Sequence, residues 1–189
     1  THVHWEKHLN TSRTQYSMVN QEMVVILYTI LTERVLKQYG ILRKLDKKQR
    51  AGAWGFTMKC ISNALKGKKR KIRSDVMRKY IERGVDKSIL EDIIRAVKSY
   101  EESGEFKLVK EYIRKINSML KEHNVIAPMW TIYYNFISTI IKKCRIMRDP
   151  ARIQMVKAYI SFYKDTYYAD EELLKEIAMY TLEVIDKLV

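Results

Sequence analysis

The sequence predicts an all-α protein, with a helical bundle in its C-terminal part and an extended basic helical region before it. Apolar residues recur at spacings of three and four along most of the chain, and no stretch keeps a two-residue alternation. The chain holds only six Gly and two Pro, and several of them stand where apolar-periodic segments begin or end. Its 189 residues fit one domain, or one domain with an arm, and are enough to bury a core without staples. With 47% hydrophobic and 31% charged residues the composition is that of a globular protein.

Residues 1–16 show no period and read as an irregular or partner-dependent tail. Met23, Ile26, Leu27, Ile30, Leu31 and Leu36 predict a helix from about Ser17 to Tyr39, closed by Gly40. Trp54, Met58, Ile61 and Leu65 then form one helical face, with Lys59 and Lys66 off it. Gly52 and Gly55 weaken the start of that helix and let its backbone approach something closely. KGKKRKIR, Lys66 to Arg73, reads as a hinge or charged turn, after which Ser74 opens a helix that stops at Gly84.

Asp86 is positioned to cap a helix carrying Ile89, Ile93, Val97 and Tyr100 and ending at Gly104. The next helix uses Val109, Tyr112, Ile113, Ile116 and Leu120 and ends near Asn124. Pro128 sits where a first-turn proline belongs, ahead of Ile132, Tyr133, Phe136, Ile137, Ile140 and Cys144. Asp149 and Pro150 repeat that punctuation before Ile153, Val156, Tyr159, Ile160 and Tyr163. Asp170, Glu171 and Glu172 place acids at the start of a last helix with Leu173, Leu174, Ile177, Val184, Ile185 and Leu188. Short links between such helices predict antiparallel neighbours in a bundle. The expected division is a tail and basic helical region over 1–83 and a helical bundle over 84–189.

Charge is distributed very unevenly. Between Arg43 and Arg83 fifteen basic residues stand against three acids, which accounts for twelve of the chain's fourteen net positive charges. Like charge at that density repels itself unless a polyanion or counterions neutralise it. Nucleic acid is the first candidate partner, an anionic membrane surface the second, and a merely solvated face the bland alternative. The residues expected to meet phosphate are Arg43, Lys44, Lys47, Lys48, Arg50, Lys59, Lys66, Lys68, Lys69, Arg70, Lys71 and Arg73. Lys outnumbers Arg in the stretch, which suits phosphate neutralisation better than bidentate reading of bases.

Other residue types are less informative. Thirteen Tyr, three Trp and four Phe are many for a helical chain, and most are expected in the core. Tyr134, Tyr167 and Tyr168 fall off the apolar stripes and suit subunit contacts. Cys60 and Cys144 lie within apolar patterns and are expected as buried thiols, although one disulfide between them is open. His2, His4 and His8 have no Cys nearby and only Glu6 as an acid, so no metal site is expected there. His123 stands near a helix end, where a cation is favoured. No glycine-rich phosphate loop, nucleophile elbow, HExxH or CxxC pattern occurs, so neither an enzyme nor a cofactor is expected. Polar and charged groups run through the first twenty residues, so no signal peptide is expected, and the uncharged run from Asn124 to Ile141 is interrupted by Pro128, Asn135 and Ser138.

The segment IYYNFISTIIKKCRIMRDPARIQMVKAYISFYKD, Ile132 to Asp165, followed by an acid-started apolar helix, resembles the C-terminal helical region of major capsid proteins of filamentous archaeal viruses, the rudiviruses and lipothrixviruses. KAYISFY, Lys157 to Tyr163, is similar to a KAYY-type stretch at the same place in that family. The resemblance implies a virion structural protein found in the nucleocapsid, and in the host cytoplasm during assembly. It also implies pairing with a homologous subunit, as a homo- or heterodimer, and helical stacking around linear double-stranded DNA held in A-form. Arg43 to Arg73 would then be the DNA-wrapping surface. The strongly basic front half favours the lipothrixvirus branch, which adds a lipid envelope. A cellular or plasmid-borne nucleic-acid-binding regulator or nucleoprotein subunit is the alternative, and a membrane-surface protein stands behind it.

Overall fold

A computed structural model describes the backbone of residues 13–67, 72 and 74–188, with side chains from residue 25 onward in those ranges. Among the described residues the chain is all-helical, with eight α-helices and no strand. They are α1 (Arg13–Gln38), α2 (Arg50–Leu65), α3 (Ser74–Glu82), α4 (Lys87–Tyr100), α5 (Gly104–Glu122), α6 (Trp130–Cys144), α7 (Ala151–Tyr167) and α8 (Glu171–Lys187). Two 3-10 turns, Leu42–Lys44 and Ala127–Met129, precede α2 and α6. The chain divides into two compact units, Leu27–Lys110 and a second made of Thr1–Ile26 with Glu111–Val189. None of the described helices is long and apolar enough to cross a membrane.

In the Leu27–Lys110 unit, α2 packs mainly on α4, and α3 lies against both. The buried stripe of α2 is Ala53, Phe56, Thr57, Cys60 and Ile61, so of the expected face only Ile61 is fully buried. Trp54, Met58 and Leu65 flank it half-buried. At Gly52 an added Cβ would stand 2.6 Å from Val85 Cγ2, so no side chain fits there without displacement. From α4, Ile89, Leu90, Ile93, Ala96, Val97 and Tyr100 point inward, which includes every residue that the spacing put on that face.

Two helix ends differ from expectation. Asp86 does occupy the N-terminal cap of α4, but its carboxylate makes no bond to that helix. It accepts instead from Gln49 Nε2 at 3.4 Å, while the Ile89 and Leu90 amides donate to the Asp86 carbonyl at 3.0 and 3.2 Å. Gly104 begins α5 instead of ending α4. Ser103 explains this, since its Oγ accepts from the Phe106 amide at 3.2 Å and so caps α5. A polar cluster fixes the same corner: the Arg34 guanidinium donates to Glu105 Oε1 at 3.0 Å and the Tyr100 hydroxyl to Glu105 Oε2 at 2.7 Å.

In the second unit, α6 packs against both α7 and α8. All six residues expected on its inner face are buried, and so is Tyr134 at 2% exposure. Tyr134 is therefore not available for a subunit contact; its hydroxyl donates to Asn117 Oδ1 at 2.8 Å and its ring meets Trp130 edge-on. Buried tyrosine tips recur here, each with a partner. Tyr112 shares a 2.6 Å hydrogen bond with Thr181, Tyr163 pairs with Thr139 at 3.2 Å, and Tyr133 accepts from the Asp170 amide at 2.9 Å. The acids Asp170, Glu171 and Glu172 do stand at the start of α8, and Asp170 also caps it, accepting from the Leu173 amide at 3.1 Å. By contrast α7 buries only Ile160 and Tyr163, and Ile153, Phe162 and the following Tyr168 are exposed.

Candidate nucleic-acid interface

The segment between α1 and α2 is built from two apolar pegs with cations around them. Gly40, with φ +70°, turns the chain out of α1. Ile41 and Leu45, spaced by four, are buried at 1% and 6% exposure and fasten the 3-10 turn to the core. The residues between and after them, Arg43, Lys44, Lys47 and Lys48, have no choice but to face solvent, and all four are exposed, as is Arg50. The Gln49 amide donates to Asp46 Oδ1 at 2.9 Å and closes the loop into the first turn of α2.

One of these cations is engaged. Lys44 Nζ donates to Asp92 Oδ2 at 3.3 Å, and Arg95 donates to the other oxygen of the same carboxylate. Burial alone would raise the Asp92 carboxyl, but the bonds and charges of Lys44 and Arg95 hold it below its ordinary value. Arg43, Lys47, Lys48 and Arg50 meet no carboxylate among the described residues; Arg43 instead folds its guanidinium toward Gly40. Lys59 is exposed on the outer side of α2, as its position off the apolar stripe predicted. Lys66 is exposed just beyond the same helix. Lys68, Lys69, Arg70, Lys71 and Arg73 lie outside the described residues.

Residues beyond the expected set carry exposed positive charge in the same unit. On α3, Val76, Met77 and Tyr80 are half-buried, whereas Arg78 and Lys79 are exposed, as is Arg83 just beyond the helix. Lys87 opens α4 and is exposed too. The signal for α3 was present in its inward-inward-outward-outward pattern, but the candidate residues ended at Arg73. Among the described residues no group of three or more His, Cys, Asp or Glu side chains could hold a metal ion. No protein-family model, curated protein or solved structure matches this chain.

Proposed function

We propose that the protein is a virion structural subunit that coats linear double-stranded DNA without sequence preference and assembles into a helical nucleocapsid filament. The observation that carries this reading is the loop pegged by Ile41 and Leu45, which presents Arg43, Lys47, Lys48 and Arg50 to solvent with no carboxylate partner among the described residues. Cations so arranged gain little from their own protein and much from a row of phosphates, because each neutralised phosphate releases condensed counterions. A rigid loop also loses less entropy on binding than a floppy one. The chemistry favours backbone contact, with no requirement for base reading.

The more specific part of the proposal comes from the resemblance carried by Ile132 to Asp165. It supplies the pairing of subunits, the A-form duplex and the contact with an envelope. The exposed aromatic side of α7, with Phe162 at 51% and the adjoining Tyr168 at 87% exposure, supports a neighbouring copy as its cover. No catalytic step is part of this function.

Mixing the purified chain with linear duplex and imaging by electron microscopy tests the proposal. Regular filaments on random-sequence DNA are expected. Discrete complexes on one selected sequence, with none on random DNA, would favour a regulator.

A further inference from the structure

We infer that the turn joining α3 to α4 forms the second half of the phosphate-binding surface, with Arg83 and Lys87 as its cations. This rests on the proposal that the α1–α2 loop binds the backbone of a nucleic-acid duplex, and it names residues beyond that loop. The two segments are more than thirty residues apart in sequence, yet three contacts hold them side by side. Gly52 lets the backbone of α2 approach Val85 so closely that a Cβ would clash at 2.6 Å. Gln49 bridges the segments, donating its amide to Asp46 at 2.9 Å and its side chain to Asp86 at 3.4 Å. The aliphatic stem of Lys48 runs past Gly84, where Cε would lie 3.5 Å from an added Cβ.

The geometry of Gly84 makes this possible. Its φ of +100° belongs to the left-handed region, and the Val85 amide then donates back to the Tyr80 carbonyl at 3.1 Å to end α3. Arg83 is held in place before any ligand arrives: its guanidinium lies 5.5 Å from the centre of the Tyr80 ring. Tyr80 is itself fixed edge-on to Phe56 at 5.1 Å. Lys47, Lys48, Arg50, Arg83 and Lys87 are exposed and meet no carboxylate among the described residues. The nearby Asp46 and Asp86 carboxylates are instead bonded to Gln49. A duplex carries one negative charge per about 1.7 Å of its axis, so cations from two adjoining segments meet several phosphates at once.

The test measures binding of the full chain to a labelled random-sequence duplex across a salt series, with circular dichroism on every variant. Arg83→Glu/Lys87→Glu should weaken binding at least about tenfold and make the log K against log salt slope shallower by about two. Lys98→Glu/Lys110→Glu is the control for net charge; both residues are exposed. Lys98 lies about 16 Å along α4 from Lys87 at about 1.5 Å per residue, beyond the Debye length of about 10 Å at 0.1 M salt. It should have the smaller effect. Gly52→Ala changes no charge, yet should weaken binding several-fold, and Val85→Ala added to it should restore affinity. If the reversed pair melts the helices, Arg83→Gln/Lys87→Gln replaces it, with about the same slope change expected. Where the wild type does bind, equal effects of the two charge-reversal pairs, or a slope left unchanged by Arg83→Glu/Lys87→Glu, would overturn the inference alone. A wild type that binds no duplex would remove the function on which it rests.

Discussion

Gly52 and Val85 are in closer contact than any other side chain at position 52 would allow, since a Cβ there would lie 2.6 Å from Val85 Cγ2. Ala in place of Gly within a helix gains up to about 1 kcal/mol of propensity. Overpacking a core with no room to relax costs about 1–3 kcal/mol. The clash falls on a side chain that is 1% exposed, so the second effect wins. Gly52→Ala should therefore lower stability by about 1 kcal/mol in a urea melt. In a Val85→Ala background the same change should be neutral or stabilising.

Tyr112 and Thr181 share a 2.6 Å hydrogen bond in the buried part of the C-terminal unit. Tyr112→Phe leaves the Thr181 hydroxyl stranded, and an unsatisfied buried group costs about 1–3 kcal/mol. Tyr112→Phe/Thr181→Val removes both partners at nearly constant shape and should recover much of that loss. Denaturant melts of the four proteins in the cycle measure the coupling.

Arg152 joins three acceptors, donating to the Cys144 carbonyl and to both oxygens of Asp186 at 2.9 Å each. An ammonium cannot reproduce that planar fork. Arg152→Lys should cost about 1 kcal/mol, and Asp186→Asn less, because Asp186 is half-exposed and solvent screens the pair. Thermal melts of both variants check the order.

Burial pushes the Cys60 thiol from its ordinary 9.0 up to about 12, against a smaller opposing pull from Lys59. The folded protein therefore prefers the protonated thiol. The stability this contributes is complete below pH 9.0 and is lost as pH rises toward about 12. Stability should decline through that window, and Cys60→Ala should flatten part of the decline. At pH 8 a thiol reagent should label Cys60 at least about tenfold more slowly in the native protein than in denaturant.

The inner faces of α4, α6 and α8 were legible in the sequence, aromatic residues included, whereas on α7 the expected Ile153 is exposed. On α4, α6 and α8 every residue expected inside is buried. A stripe is harder to see where small or polar residues share the packing. On α2 the inner face combines Ala53, Thr57 and Cys60 with Phe56 and Ile61, and of these only Ile61 stood on the expected stripe. Tyr134 was misplaced because its core position depends on Asn117, a polar partner that periodicity cannot show. Gly104 was placed at the end of α4 for a similar reason, since a glycine between two helices serves either end and the Ser103 bond that starts α5 does not show in periodicity.

The candidate interface was legible as a density of charge and hidden as a surface. Arg43 to Arg50 announced themselves by composition, and Ile41 and Leu45 explain why they face outward. Arg83 and Lys87 could not be joined to them from sequence, because the link is the missing side chain of Gly52, the Gln49 bond to Asp86 and the Lys48 stem beside Gly84.

The salt dependence of duplex binding tests the central claim most directly. With roughly 6–10 phosphates neutralised per subunit, affinity for random-sequence linear DNA should fall by about 10³–10⁵ between about 50 and 200 mM salt. An affinity that stays level across that range would contradict the account, whatever its value at low salt.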